Sequence, residues 1–174
     1  MTEQEERSLR QQKAEVTKIL TETWTNEFMK RGTVATILKV DGRILEYIDS
    51  IVNHPDDHCL REQQKIWRFF KICQKSGVGF DAARVKRNLE FIEGLKFKQG
   101  KGYEGIHLSQ FQVFDLTNLY GWVVKADDGE IVRLYTRLVD MIPRKVGKST
   151  LAAAIAVALF NAVSLSSSFI IDIA

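Results

Sequence analysis

Cysteine and proline are scarce in this chain, and neither sign of charge dominates. Cys59 and Cys73 are the only cysteines, too few for a disulfide framework or a paired-cysteine metal knuckle, so both are expected as reduced thiols, partly buried in helical segments. The prolines, Pro55 and Pro143, read as stops, the first for a helix ending at His54 and the second for a strand ending at Ile142. The start, MTEQEERSLRQQ, lacks the basic and apolar regions of a secretory signal, which points to the cytoplasm. With 25 Lys and Arg against 22 Asp and Glu, the net charge is +3. That balance permits a nucleic-acid partner without demanding one. No internal repeat is visible. A chain of 174 residues, 45% hydrophobic, can bury one core, or a small helical lobe followed by the start of a second domain.

What is present is a series of helical patterns that gives way to strands. Residues 2 to 30 mix charged and amide side chains with a narrow apolar stripe (Val16, Ile19, Leu20, Trp24, Phe28), predicting a polar helix that docks only weakly. Ile44, Leu45, Ile48, Ile51 and Val52 recur at helical spacing, as do Ile66, Phe69, Phe70 and Cys73 within a helix predicted over 58 to 75. Asp81 is placed to cap a third helix with Val85, Leu89 and Ile92 on its inner face and Lys86, Glu90 and Glu93 turned outward. KFKQGKGYEG (96 to 105) reads as an exposed loop and a domain boundary. Ser109 can cap the next helix, which Gly121 closes. From Trp122 to Ile142, a turn signal at Asp127-Asp128-Gly129 separates two β-rich stretches, a hairpin-like pair of strands. The divisions expected are an extension over 1 to 40, a helical lobe over 41 to 97 and a further domain over 98 to 174.

That last domain carries the strongest motif. IPRKVGKST (142 to 150) lies between a predicted strand and the Ala-rich LAAAIAVALF, which has the character of a buried helix. This is the setting in which a Walker A sequence is credible. Loop amides and the positive helix N-terminus would surround phosphates, Lys148 would reach the β and γ oxygens, and Ser149 would hold Mg²⁺, with Thr150 the lesser metal ligand. Ile142 stands where the strict motif has its first Gly. The plainer alternative is a basic turn capping a buried helix.

The segment IPRKVGKSTLAAAIA is similar to the phosphate loop of tailed-phage terminase large subunits, which often lack that first Gly and carry an Arg-Lys pair before the second. FIEGLKFKQGKGYEGIHLSQFQVFDLTNLYGW (91 to 122) resembles the family stretch in which a helix, a Lys-Gly loop and a Leu-x-Pro-x-Gln helix ending in Phe-Gly-Trp precede the hairpin. Gln110 replaces the usual Pro and Tyr120 the usual Phe. The resemblance, over about residues 44 to 160 at the scale of a domain, implies an α/β fold: an N-terminal helical lobe followed by the beginning of a P-loop NTPase domain. It implies ATP and Mg²⁺ as cofactors, held by Arg144, Lys145, Val146, Gly147, Lys148, Ser149 and Thr150. It makes Gln112 the glutamine on the adenine edge, since an amide both donates and accepts, and Arg144 an arginine for charge developing on the γ-phosphate. It implies double-stranded DNA, a terminase small subunit and a portal as partners, in the cytoplasm of a bacterial host.

The family's hydrophobic strand ending in Asp-Glu, which completes the Mg²⁺ site and orients water, is not found after the loop; Asp172 is the one carboxylate side chain beyond Thr150. The family's nuclease carboxylates are missing too, and the tail departs from the family after about Phe160. The expectation is a truncated ATPase and endonuclease, an interrupted prophage product, inactive alone and binding nucleotide weakly at most. Two other readings stand beside it. One is a non-catalytic module whose lobe binds DNA or protein, for which the six basic and two acidic residues between Arg84 and Lys101 could track phosphates. The other is a membrane-anchored product, from the uncharged run Ser149 to Ile171. His54, His58, Cys59 and Cys73 suggest zinc only weakly, because Pro55 separates the histidines.

Overall fold

The computed structural model describes residues 2–99, 102–139, 148–162 and 170–172. The chain is mixed helix and sheet and divides into two compact units between Val78 and Gly79. Sequence boundaries drawn at 40/41 and 97/98 fall inside these units. The reason is packing: the N-terminal helix shares a core with the helices after it, and the helix at 82–94 packs with helices further along the chain.

The first unit is helical: α1 (Glu3–Thr23), α2 (Asn26–Met29), α3 (Gly32–Leu38), α4 (Gly42–Asn53), a 3₁₀ turn at Pro55–Asp57, and α5 (Leu60–Cys73). Thr2 and Glu5 form a capping box at the start of α1: the Glu5 amide donates to Thr2 Oγ1 at 3.3 Å and the Thr2 amide to Glu5 Oε2 at 2.6 Å. Acidic side chains at Glu3, Glu5 and Glu6 also suit the positive end of a helix. The expected weak docking of this segment is corrected. Val16 and Leu20 are buried against the core, and Trp24 stacks on Phe70 with ring centroids 5.3 Å apart while Phe28 meets the same ring edge-on at 5.1 Å. Few apolar residues suffice because two of them are large aromatics meeting a third.

A polar staple reinforces this contact. Gln63 is fully buried, its Oε1 accepting from Thr17 Oγ1 at 3.0 Å and its Nε2 donating to the Pro55 carbonyl at 2.7 Å. Trp24 Nε1 donates to Asp49 Oδ1 at 2.6 Å. Buried polar groups bonded in this way avoid the cost of unsatisfied burial.

The second unit contains the rest of the chain. Its elements are β1 (Val78–Phe80), which straddles the division, α6 (Ala82–Gly94), β2 (Lys96–Gln99), β3 (Gly102–Gly105), α7 (Gln110–Gly121), β4 (Trp122–Lys125), β5 (Ile131–Arg133), β6 (Arg137–Val139), α8 (Lys148–Ala162) and β7 (Ile170–Asp172). Asp81 caps α6, accepting from the Arg84 amide at 2.8 Å. Val85, Leu89 and Ile92 are buried as their spacing predicts. Glu93 does not simply face outward, since its carboxylate accepts from the Leu108 amide at 3.3 Å.

Helix α7 is the centre of this unit. Val113, Phe114, Leu116, Leu119 and Tyr120 are all buried, more than one face, as suits a helix surrounded by protein. Gly121 ends it without a left-handed conformation; among the described residues the positive φ values of glycine belong to Gly77 and Gly129. Its smallness serves another purpose, because a Cβ at 121 would fall within the Phe80 ring. That ring packs edge-on to Trp122 at 5.2 Å.

The segment expected as an exposed loop forms a hairpin, β2 against β3 in antiparallel register. The expected pair of strands after Trp122 is present as β4 against β5, its Gly129 at φ 90°, with β1 on the other side of β4. The long second strand is split, however. After β5 the Leu134 amide donates to the Trp122 carbonyl at 2.9 Å, the last rung available because Trp122 is where α7 gives way to β4. Beyond it, β6 pairs in parallel with β7.

Candidate functional site

The motif segment runs from the end of β6 to the start of α8. Ile142, Pro143, Arg144, Lys145, Val146 and Gly147 lie outside the described residues. Lys148 is the first residue of α8, with Ser149 exposed and Thr150 half-buried in its first turn. The first amides of a helix have no intrahelical acceptor and carry the positive end of the peptide dipoles. A phosphate is a suitable partner for such a terminus.

Below that turn, Leu151, Ala154, Ile155, Ala158 and Leu159 are buried at i, i+3, i+4, i+7 and i+8, while Val157 on the other side is 43% exposed. The helix is therefore buried along one face rather than all round. Small alanines on that face let α6, which packs against it, approach closely.

The strand after α8 is an element that sequence reading missed. β7 lies parallel to β6, with Arg137 opposite Ile170, Leu138 opposite Ile171 and Val139 opposite Asp172. The Asp-Glu pair expected at the end of such a strand is not there: Asp172 ends β7 and Ile173 follows it in the sequence. Because the strands are parallel, the backbone of Asp172 is level with Val139, the residue from which the chain leaves toward the motif. Ligands in α/β folds gather at the carboxyl ends of strands. The available signal was the run FIID directly after a helix and a serine cluster, an apolar stretch terminated by a carboxylate.

Gln112 lies on α7, the third residue of that helix and only 8% exposed. Its Oε1 accepts from the Ser109 amide at 2.8 Å and the Ser109 hydroxyl at 3.0 Å. The spacing Ser109-x-x-Gln112 is itself that of a capping box, so the side chain has a structural use that its sequence already permitted. α6 packs against both α7, which carries Gln112, and α8, which opens with Lys148.

At the other end of α7, burial pushes the Tyr120 phenol well above its ordinary range. Burial also lowers the Arg133 guanidinium from its usual value, and Arg84 adds like-charge repulsion in the same direction. In the first unit, His58 is engaged by Ser50 Oγ at 2.9 Å from Nε2 and by Glu62 at 3.5 Å from Nδ1. Among the described residues no group of three or more His, Cys, Asp or Glu is arranged to hold a metal ion, and no helix is long and apolar enough to cross a membrane.

Compared with protein-family models, curated proteins and solved structures, the chain matches none.

Proposed function

We propose that this chain binds ATP with Mg²⁺ through the segment Arg144–Thr150, as the nucleotide-binding part of a double-stranded DNA packaging motor of the terminase large-subunit kind. The observation that carries the reading is the order of parts: β6, then RKVGKST, then a helix headed by Lys148, then a strand parallel to β6 ending at Asp172. That order suits a phosphate loop, because a strand, the loop sequence and a helix follow one another and the parallel strands bring their carboxyl ends to the same side of their ladder.

In this reading Lys148 meets the β and γ oxygens, Ser149 ligates Mg²⁺, and the amides from Lys145 to Lys148 surround the phosphates. Arg144 faces charge on the γ-phosphate. Since the oxygen of Gln112 is occupied by its cap, the adenine would be met through Nε2. Asp172 is the candidate second-sphere carboxylate for the metal. Ile173 follows it where the resembled pattern has Glu, and that Glu orients the attacking water, so the reading favours nucleotide binding over rapid turnover. Acting within a motor, the chain would meet a small terminase subunit and a portal in the cytoplasm of a bacterial host.

The test is a titration of the whole chain with fluorescent ATP and Mg²⁺. Lys148→Ala is expected to abolish binding; an unchanged affinity would put the nucleotide elsewhere or nowhere.

A further inference from the structure

The β2–β3 ribbon sorts its side chains by charge. Residues directly opposite in an antiparallel pair share a face, and the register sets Lys98 against Tyr103, Lys96 against Gly105 and Phe97 against Glu104. Lys96, Lys98 and Tyr103 therefore occupy one face, while half-buried Phe97 and the acidic Glu104 occupy the other. All three residues of the first face are exposed, Tyr103 at 73%. Among the described residues none of their side chains makes an ion pair, a hydrogen bond or a ring contact.

Lysines on a two-stranded ribbon have an ordinary use, discouraging another strand from adding to an open edge. That accounts for Lys96 and Lys98 and leaves Tyr103 unexplained. An aromatic ring held in water forgoes the gain of burial, and the opposite face of the same ribbon shows that partial burial is available to Phe97. What a lysine ammonium and a tyrosine hydroxyl have in common is donation to phosphate oxygens. A cross-strand pair such as Lys98 and Tyr103, with Cβ atoms about 5 Å apart, can reach one stretch of backbone together. A two-stranded ribbon also has a width that a duplex major groove admits. Glu104 points to the other face, so no carboxylate on the ribbon opposes an anion there.

We infer that the Lys96, Lys98 and Tyr103 face of this ribbon is a contact surface for the backbone of double-stranded DNA. The choice of a duplex as occupant rests on the proposed reading of the chain as part of a DNA motor; the ribbon itself is separate from the nucleotide segment. Binding is therefore electrostatic, independent of base sequence and independent of ATP.

The experiment measures binding of a short labelled duplex to the full chain by anisotropy, without nucleotide, over a salt series from about 50 to 200 mM. Lys96→Ala with Lys98→Ala is expected to flatten the slope of log K against log salt by about 2, one for each phosphate contact removed. Tyr103→Ala is expected to weaken binding and leave the slope in place. The charge-matched control, Lys39→Ala with Lys75→Ala, changes two exposed lysines of the first unit and is expected to keep the wild-type slope. The inference is overturned if the wild-type chain does not bind the duplex at the lowest salt, if the ribbon variant keeps the wild-type slope, or if the control flattens it equally. ATP titration of the same preparations separates the two proposals. A chain that binds ATP but not DNA sinks the ribbon surface alone, and one that binds DNA through the ribbon but not ATP sinks the nucleotide reading alone.

Discussion

Tyr120 carries its hydroxyl into the interior of the second unit, where the residue is 1% exposed and the oxygen has no hydrogen-bond partner among the described residues. An unsatisfied buried hydroxyl costs on the order of 1 kcal/mol or more, and Phe would fill the same space without it. Tyr120→Phe is expected to raise stability by about 1 kcal/mol, read as a higher urea midpoint with an unchanged m-value. At the head of α4, Asp41 accepts from Arg43 Nε at 3.0 Å and from the Arg43 amide at 2.9 Å. The Arg43 side chain holds the Asp41 carboxyl below the ordinary 3.8, against a smaller opposing effect of burial. A depressed carboxylate contributes stability that is complete above its unfolded value and lost as pH falls through its folded one. The contribution of Asp41 is thus present above pH 3.8 and disappears only in more acidic solution. Arg43→Met should raise the Asp41 pKa, followed by carboxyl NMR titration; no upward movement would refute the pairing.

Among the elements, those set by local chemistry were legible. Asp81, Ser109 and the turn at Asp127-Asp128-Gly129 identify themselves because capping and turn formation involve neighbours within a few residues. The docking of α1 was not legible, since Phe70, which receives Trp24 and Phe28, is far along the chain. Phe70→Ala should therefore cost about 3 to 5 kcal/mol, the range for losing a buried aromatic, and denaturation monitored by circular dichroism measures it. A loss below about 1 kcal/mol would mean that the stacked cluster contributes little beyond surface contact. The hairpin β2–β3 was hidden by the Gly and Lys residues that made it resemble a loop. β7 was hidden for a different reason: a short parallel strand is defined by its partner across an intervening helix, and the brief apolar run FIID does not by itself distinguish a strand from other apolar segments. At the candidate site, the residue types and spacing of RKVGKST were readable, whereas the capping role of Gln112 was not separated from a nucleotide role because one side chain can serve both.

For the molecule as a whole, a ligand that binds only the folded chain raises its stability by mass action, about 2.7 kcal/mol at a hundredfold excess over Kd. Mg²⁺ and ATP together should accordingly raise the melting temperature by a few degrees. Lys148→Ala should melt like the wild type without nucleotide and show no rise with it, by differential scanning fluorimetry. A rise that survives in the variant would mean that the ligand acts away from the motif.

The aromatic packing of the two units also has an optical consequence. Trp24, stacked on Phe70, is buried in the first unit, and Trp122, bonded through Nε1 to Asn118 at 2.9 Å, is buried in the second. The third indole, Trp67, is half-buried with Lys71 Nζ 3.6 Å from its ring centroid, so its emission is expected to be sensitive to that cation. Replacing Trp67 and one of the other two by Phe leaves a single buried fluorophore, whose red shift on exposure to water reports the loss of one core without signal from the other.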